Sequence, residues 1–370
     1  MSAGTNILAA VAEHAGAPFT LESVELGDCR SDEVVVDIRA VGICHTDLLA
    51  RAGAFPTPLP AVLGHEGAGM VRSVGAEVTR VEPGDHVALS FASCGACPTC
   101  RTSRPYNCHE FMPRNFGASR MDGTTALQRG GAPLHSQFFG QSSFATAAIV
   151  PERSAVKIPT DIPFHVAAPF GCGIQTGAGA VLNAFDAQPG STLAVFGTGG
   201  VGMAAIMAAR HAGCSTIIGV DHSADRLALA AKLGATHTVN VADDDPAEAV
   251  GRITGYGADF TIDTTGSPTV LRTAVEVTAP AGTCGIIGAP PFGTDVALDV
   301  NGILGPGRTI MGIVEGCSVP EVFIPRLLGL WQRGELPVDT LIETFPLDQI
   351  QEAAERSERG EVVKPVLLTA

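Results

Sequence analysis

The stretch Gly197-Thr198-Gly199-Gly200-Val201-Gly202 constrains the fold of this chain more than any other. A short apolar run, residues 192–196, precedes it and reads as a strand; residues 201–212 after it have the length and composition of a helix. A G-x-G-x-x-G turn between strand and helix lets the backbone approach a pyrophosphate, and the helix N-terminus adds partial positive charge there. The next apolar run, 216–220, ends at Asp221, nineteen residues past Gly202. That carboxylate can take both hydroxyls of a ribose and would repel a 2′-phosphate, so the pattern predicts NAD. Strand and helix signals keep alternating through 226–233, 239–241, 260–264, 271–277, 283–287 and 309–312. Such alternation predicts an α/β doubly wound parallel sheet.

A chain of 370 residues is too long for one ordinary domain, and its first half has another rhythm. Residues 7–11, 34–38, 69–74 and 86–89 read as short strands broken by glycine, and Pro56, Pro58 and Pro60 make 53–60 a loop. Many short strands predict an irregular β-barrel or a sandwich, which periodicity does not separate. Residues 114–137 are polar and Gly-rich and read as an excursion from the domain. Residues 174–185 have the length of a helix, and the domain boundary falls just before them.

Two metal sets can be drawn from the cysteines. Cys94, Cys97, Cys100 and Cys108 fall within fifteen residues. Four thiolates close the coordination sphere of a tetrahedral zinc, so this set predicts a structural metal with no place for substrate. His109 follows Cys108 and reads as a bystander. The second set is dispersed: Cys44, in Gly42-Ile43-Cys44-His45-Thr46-Asp47; His65, in Gly64-His65-Glu66-Gly67; and Cys172, between Gly171 and Gly173. Two thiolates and one imidazole with a fourth position open make a catalytic zinc site. Two Zn2+ per chain are therefore expected. Cys29, Cys214, Cys284 and Cys317 lack metal spacing and read as small buried side chains.

Composition excludes other classes. The net charge is −15 with no Lys/Arg run, which argues against nucleic acid. No 18-residue apolar window predicts a membrane span. The first sixteen residues lack the pattern of a signal peptide. Ten cysteines without an export signal point to metal ligands in a reducing, cytoplasmic setting.

With these motifs in hand, the chain resembles a zinc-dependent alcohol dehydrogenase of the medium-chain dehydrogenase/reductase superfamily over nearly its whole length. Gly64-His65-Glu66-Gly67-Ala68-Gly69, the four-Cys loop and the glycine turn occur in that family's order. Phe139-Gly140-Gln141-Ser142-Ser143-Phe144-Ala145-Thr146, Gly171–Ala180 and Gly312-Ile313-Val314-Glu315-Gly316 are similar to its aryl (benzyl) alcohol dehydrogenase branch. The resemblance implies a GroES-like β-barrel catalytic domain, residues 1–173 and 315–370, and a Rossmann domain, residues 174–314, with the active site in the cleft between them. It implies hydride transfer from a primary aryl or allylic alcohol to NAD, reversibly, with Cys44, His65 and Cys172 as catalytic zinc ligands. Glu66 would orient that metal or bind it transiently, and Thr46 would accept the alcohol's proton. His45 and Lys364 match positions at the pyrophosphate, Thr176 and Val201 positions at the nicotinamide, and Arg226 a position at the adenosine ribose. Phe55, Phe91 and Phe138 are the candidate apolar wall for substrate. A relay histidine of the family's best-known members is replaced here by Leu49. Two other readings within the fold stay open: a broad-range primary alcohol dehydrogenase, and a thiol-conjugate formaldehyde dehydrogenase. For the latter the apolar loop 52–62 is unsuited, while Arg114 and Arg120 leave room. A homodimer or homotetramer formed through the Rossmann domain is expected.

Overall fold

The computed structural model describes residues 5–369; the outermost residues of the expected catalytic domain, 1–4 and 370, lie outside the described residues. The chain divides into two compact units, one of residues 1–172, 319–329 and 338–370 and the other of 173–318 and 330–337. The return from the second unit to the first was expected near Glu315 but falls at Val319. Residues 315–318 are held where they are by Gln175, which donates to Glu315 Oε2 at 3.2 Å and accepts from Ser318 Oγ at 2.9 Å.

The first unit is built on two sheets around one apolar core. One joins Ala61–Val62, Thr5–Ala12, Phe19–Leu26, Leu127–Arg129 and Ala132–Leu134 in that order. The other is centred on Glu33–Gly42, whose β-branched, alternating sequence suits a strand. That strand pairs antiparallel with Glu66–Val74, Ala147–Pro151 and Lys364–Leu368. An isolated bridge, Ala9 to Ala145, stitches the two sheets, so the irregular barrel is made of two sheets rather than one closed ladder. Ile38, Leu63, Leu89, Phe138, Phe144 and Phe170 are fully buried in this unit, each contributing about 1.5–3 kcal/mol over an exposed position.

Residues 114–137 are not an excursion. Their hairpin, Leu127–Arg129 with Ala132–Leu134, extends the first sheet, and Phe116, Ala126, Leu127 and Leu134 enter the core. Polar residues on the outer side of the segment hide that inner face from a compositional reading.

The second unit carries a six-stranded parallel sheet in the order His237–Asn240, Thr216–Asp221, Thr192–Phe196, Ala258–Asp263, Thr278–Ile286, Thr309–Gly312. Chain order reverses at Thr192–Phe196, the switch point where such sheets bind ligands. The helix expected over 174–185 is α-helical over Gly173–Gly179 and continues as a π-turn, Ala180–Ala184. Of the four cysteines expected to be buried, only Cys284 is; Cys29, Cys214 and Cys317 are half-buried. None of the ten cysteines is in a disulfide. Among the described residues, no helix is long and apolar enough to cross a membrane.

Candidate active site

Strand register assembles the dispersed set. On the central strand, Gly42 pairs with Glu66 on one side and with Val366 on the other. Cys44, just past the strand end, is thereby brought to His65, Glu66 and Lys364. Gly42 is required for closeness: a Cβ there would lie 2.1 Å from Glu66 Oε2. Cys172 arrives from the turn Ala168–Gly171, which Ser90 holds by donating to the Gly171 carbonyl at 2.7 Å. Gly171 also lies against the Leu89 carbonyl, 2.0 Å from where a Cβ would stand.

The ligand atoms of Cys44, His65 and Cys172 lie within 4.8 Å of one another. His65 is fully buried, and its Nδ1 lies 2.7 Å from Asp47 Oδ1. Its Nε2 is buried without a hydrogen-bond partner. A histidine held by a carboxylate at one nitrogen and free at the other is the form that ligates a metal. Cys172 and then His65 and Lys364 hold the Cys44 thiol well below its usual range against burial, which favours the thiolate that metals bind. Burial alone would push the His65 imidazole down, but Asp47 and Cys44 outweigh it and push it up. These residues fit a zinc.

Asp47 also accepts from the Cys44 N–H at 2.9 Å and the Gly64 N–H at 3.1 Å. Sequence reading gave it no role. The one local signal was its position at the third residue of the helix His45–Arg51, where a carboxylate caps backward onto Cys44.

Lys364 was expected at the pyrophosphate. It is 4% exposed, and its Nζ donates to Glu66 at 2.9 and 3.0 Å and lies 3.4 Å from the Ile43 carbonyl. Burial works against its ammonium, yet Glu66 and Cys44 prevail and raise its pKa. Lys364 thus ties Glu66 in a buried ion pair beside the metal set.

The four-Cys set closes as read: Cys94, Cys97, Cys100 and Cys108 also lie within 4.8 Å. Backbone N–H groups aim inward, from Cys97 and Ala96 to Cys94 Sγ at 3.2 and 3.4 Å and from Cys94 to Cys108 Sγ at 3.3 Å. Without a cation the thiols cannot ionise together. Cys97 is drawn down to about 5, chiefly by the Thr99 hydroxyl, while burial and Cys97 push Cys100 up to about 12. A divalent cation removes that conflict, so this donor set also fits zinc. The His109 side chain is exposed.

In the second unit, Gly197 has φ +89°, and a Cβ at Gly199 would meet nothing within 4 Å. Gly199 caps the helix Gly200–Ala212 without any side-chain hydrogen bond, so the helix N-terminus faces an open cradle that fits a pyrophosphate. Gly202 packs against the Gly197 carbonyl, 2.0 Å from the place of a Cβ. Val201 is half-buried on that helix, and Thr176 is buried in the helix Gly173–Gly179. Asp221 was expected to face ribose alone. Its Oδ2 also accepts from Thr198 N and Oγ1 at 2.7 and 2.8 Å, and its Oδ1 from Ser223 N at 3.0 Å. Burial would raise this carboxyl, but those hydrogen bonds hold it below its ordinary value. Arg226 is half-buried, with Nε lacking a partner. In the first unit, His45 is exposed, while Thr46 and Leu49 are half-buried on the helix His45–Arg51.

The three phenylalanines of the expected wall join one aromatic cluster. Phe138 meets the His65 ring edge-on at 5.7 Å, Phe116 links Phe138 to Phe55, and Phe111 links Phe139 to Phe91. Phe91 and Phe138 are buried and Phe55 is half-buried. Sequence reading missed Phe139, whose ring stacks on His65 with centroids 4.4 Å apart, and Phe111 and Phe116. Isolated aromatics in polar stretches carry no periodic signal.

Comparison with known proteins agrees with this chemistry. Residues 30–160 match the alcohol dehydrogenase GroES-like domain family and residues 200–330 the zinc-binding dehydrogenase family. A geraniol dehydrogenase of Castellaniella defragrans is 45% identical over 97% of both chains. A crystal structure of a benzyl alcohol dehydrogenase from Acinetobacter calcoaceticus is 43% identical, with a TM-score of 0.96 over 99% of this chain and 100% of that one. A zinc-binding-domain alcohol dehydrogenase protein from Burkholderia ambifaria is 48% identical, with a TM-score of 0.97 over 99% of each.

Proposed function

The chain belongs to the zinc-binding medium-chain alcohol dehydrogenases, and from that premise we propose that it oxidises aryl or allylic primary alcohols reversibly to aldehydes, with NAD as hydride acceptor. The observation that carries the substrate class is the likeness to a geraniol dehydrogenase and to a benzyl alcohol dehydrogenase. Flat, apolar alcohols bury more surface on binding than ethanol does, at about 25 cal/mol per Å².

Cys44, His65 and Cys172 would hold a zinc, which when bound would supply Lewis-acid polarisation of the alcohol oxygen. Asp47 fixes the imidazole, and the buried Lys364–Glu66 ion pair packs beside the ligands. Thr46 Oγ1, two residues after Cys44, accepts the alcohol's proton. Leu49 cannot carry it further, so it leaves through solvent at the exposed His45 side. Cys94, Cys97, Cys100 and Cys108 hold a second zinc that braces the loop. Asp221 at the ribose end supports NAD over NADP, since a 2′-phosphate would face a buried carboxylate. Ten cysteines with no disulfide suit a reducing, cytoplasmic setting.

A thiol-conjugate substrate is disfavoured by a specific observation. Arg114 and Arg120, the basic groups it would need, are engaged with Glu110 and Glu33. The test is NADH formation at 340 nm with benzyl alcohol, geraniol, ethanol, and formaldehyde plus glutathione. Benzyl alcohol or geraniol should lead in kcat/KM. Equal values for ethanol would point to the broad-range reading, and activity that depends on glutathione would overturn the proposal.

A further inference from the structure

The motif Phe139–Thr146 marks the resemblance to one branch of the family, but the reaction itself leaves its first residues without work. Residues 137–142 fold in a conformation that side chains avoid. Gln137, Phe139 and Ser142 have φ of 66°, 52° and 56°, and Gly140 between them has 68°. A bulky residue in the left-handed region is a true outlier, and such conformations persist only where the surroundings over-determine them.

The surroundings here are the chain that carries His65. Ser142 Oγ donates to the Val62 carbonyl at 2.5 Å and accepts from Phe138 N at 2.9 Å. Ser143 N donates to the Gly64 carbonyl at 2.9 Å, and its Oγ lies 3.1 Å from the same oxygen. Gln141 spans the ligand itself: its Nε2 donates to the His65 carbonyl at 2.8 Å, and its Oε1 accepts from Gly67 N at 3.0 Å and Ser143 Oγ at 2.7 Å. Behind the segment, Gln137 Nε2 donates to Glu33 Oε1 at 3.2 Å. Every one of these polar side chains is buried.

The left-handed turn at Phe139 lays its ring on the imidazole, 4.4 Å between centroids and 27° between planes, while Phe138 closes the edge at 79°. Asp47 holds Nδ1. Ring face, ring edge, Nδ1 and the backbone on both sides of His65 are therefore each fixed by a separate group. Only Nε2 is left without a partner.

We propose that residues 137–142 form a clasp, with Phe139 and Gln141 as positioning residues, that aims His65 Nε2 at the metal and slows metal loss from the Cys44–His65–Cys172 set. The strain at Phe139 is retained because a relaxed backbone would swing the ring off the imidazole. Glycine at 139 would suit the backbone better but removes a buried ring, so the clasp is read from which of the two metal sets loosens rather than from stability.

This rests on the reading that the dispersed set holds zinc, and the test separates the two. Zinc release from the purified holoenzyme is followed with a chelating indicator in wild type, Phe139→Gly, Phe139→Leu, Phe139→Tyr and Gln141→Leu. Cys44→Ser, which loses the dispersed set, identifies that set's phase of release. Wild type should release two zincs per chain in two phases. Phe139→Gly should release the dispersed zinc roughly 10–100-fold faster, the usual effect of losing a group behind a ligand, with the four-Cys phase unmoved, although it also melts lower because a buried ring costs more than left-handed strain returns. Phe139→Leu, which keeps bulk without a π face, and Gln141→Leu should change in the same direction with the four-Cys phase unmoved, and Phe139→Tyr should return to wild type. Two zincs with unchanged release in Phe139→Gly and Phe139→Leu would overturn the clasp alone. So would equal acceleration of both phases, because that is general loosening. A wild-type chain whose zinc content and release match those of Cys44→Ser would overturn the site reading and the clasp with it.

Discussion

Asp47 is fully buried, and its acceptor capacity goes to three groups: Cys44 N, Gly64 N and His65 Nδ1. Thr46, beside it, keeps a half-exposed hydroxyl on the same helical turn. Thr46→Ala is therefore expected to lower kcat by about 10²–10⁴-fold, the usual range for lost proton transfer, while Thr46→Ser keeps most activity. A Thr46→Ala enzyme with wild-type kcat would remove this residue from the mechanism. Asp221 works both inward and outward. Its carboxylate braces the glycine turn through Thr198 and, on the NAD proposal, would repel a 2′-phosphate. Asp221→Gly should narrow the preference for NAD over NADP and also raise KM for both, since the brace is lost. Kinetics with the two cofactors check this, and equal kcat/KM in the unmutated enzyme would sink the idea.

Among the elements, the segment 114–137 departs furthest from its sequence reading. Arg120 reaches from it to Glu33 through two bonds of 2.7 Å, with side chains 10% and 5% exposed. Burial would raise the Glu33 carboxyl, but Arg120 and the Arg30 N–H prevail and hold it below its ordinary value. A carboxyl depressed on folding stabilises fully above its unfolded pKa of about 4.3, and that contribution fades as pH falls through the folded value. Arg120→Met leaves a buried carboxylate unpaired and should cost about 3–5 kcal/mol at neutral pH. Protonation relieves the orphaned Glu33, so the gap in Tm between wild type and variant should shrink as pH falls from 7 towards 4. Thermal melts across that range test it; a gap independent of pH would show that the pair is not the cause.

For the molecule as a whole, two metal sets with different shapes imply two zincs with different work. Metal analysis should return two per chain. Cys97→Ser should lower Tm first, because the four-Cys loop has little apolar core of its own, while Cys44→Ser should abolish turnover and leave the fold intact. Unchanged stability in Cys97→Ser with two zincs still bound would contradict the division. Assembly belongs to this scale too. Strand Thr309–Gly312 is a sheet edge, and the nearby helix Val300–Leu304 exposes Val300 and Leu304 by 72% and 74%. A homodimer or homotetramer through this unit should therefore sediment as such, and Leu304→Lys should shift it towards monomer. A wild-type monomer at micromolar concentration would rule it out.

Contiguous devices were determined by the sequence alone. The glycine turn needs only a strand before it and a helix after it, and the four-Cys loop holds its ligands within fifteen residues. Local chemistry reads locally because few bonds separate the partners. The dispersed set was legible as a list, Cys44, His65 and Cys172, but not as a site. Gly42 must pair with both Glu66 and Val366 before Lys364 can reach Glu66, nearly three hundred residues away in sequence. Register decides that, and it emerges from the burial of whole strand faces. The same holds for Asp47 on His65, for Arg120 on Glu33, and for the ring of Phe139. Each is an ordinary residue in an unremarkable stretch, and only the tertiary fold, by removing water and fixing neighbours, makes its position matter.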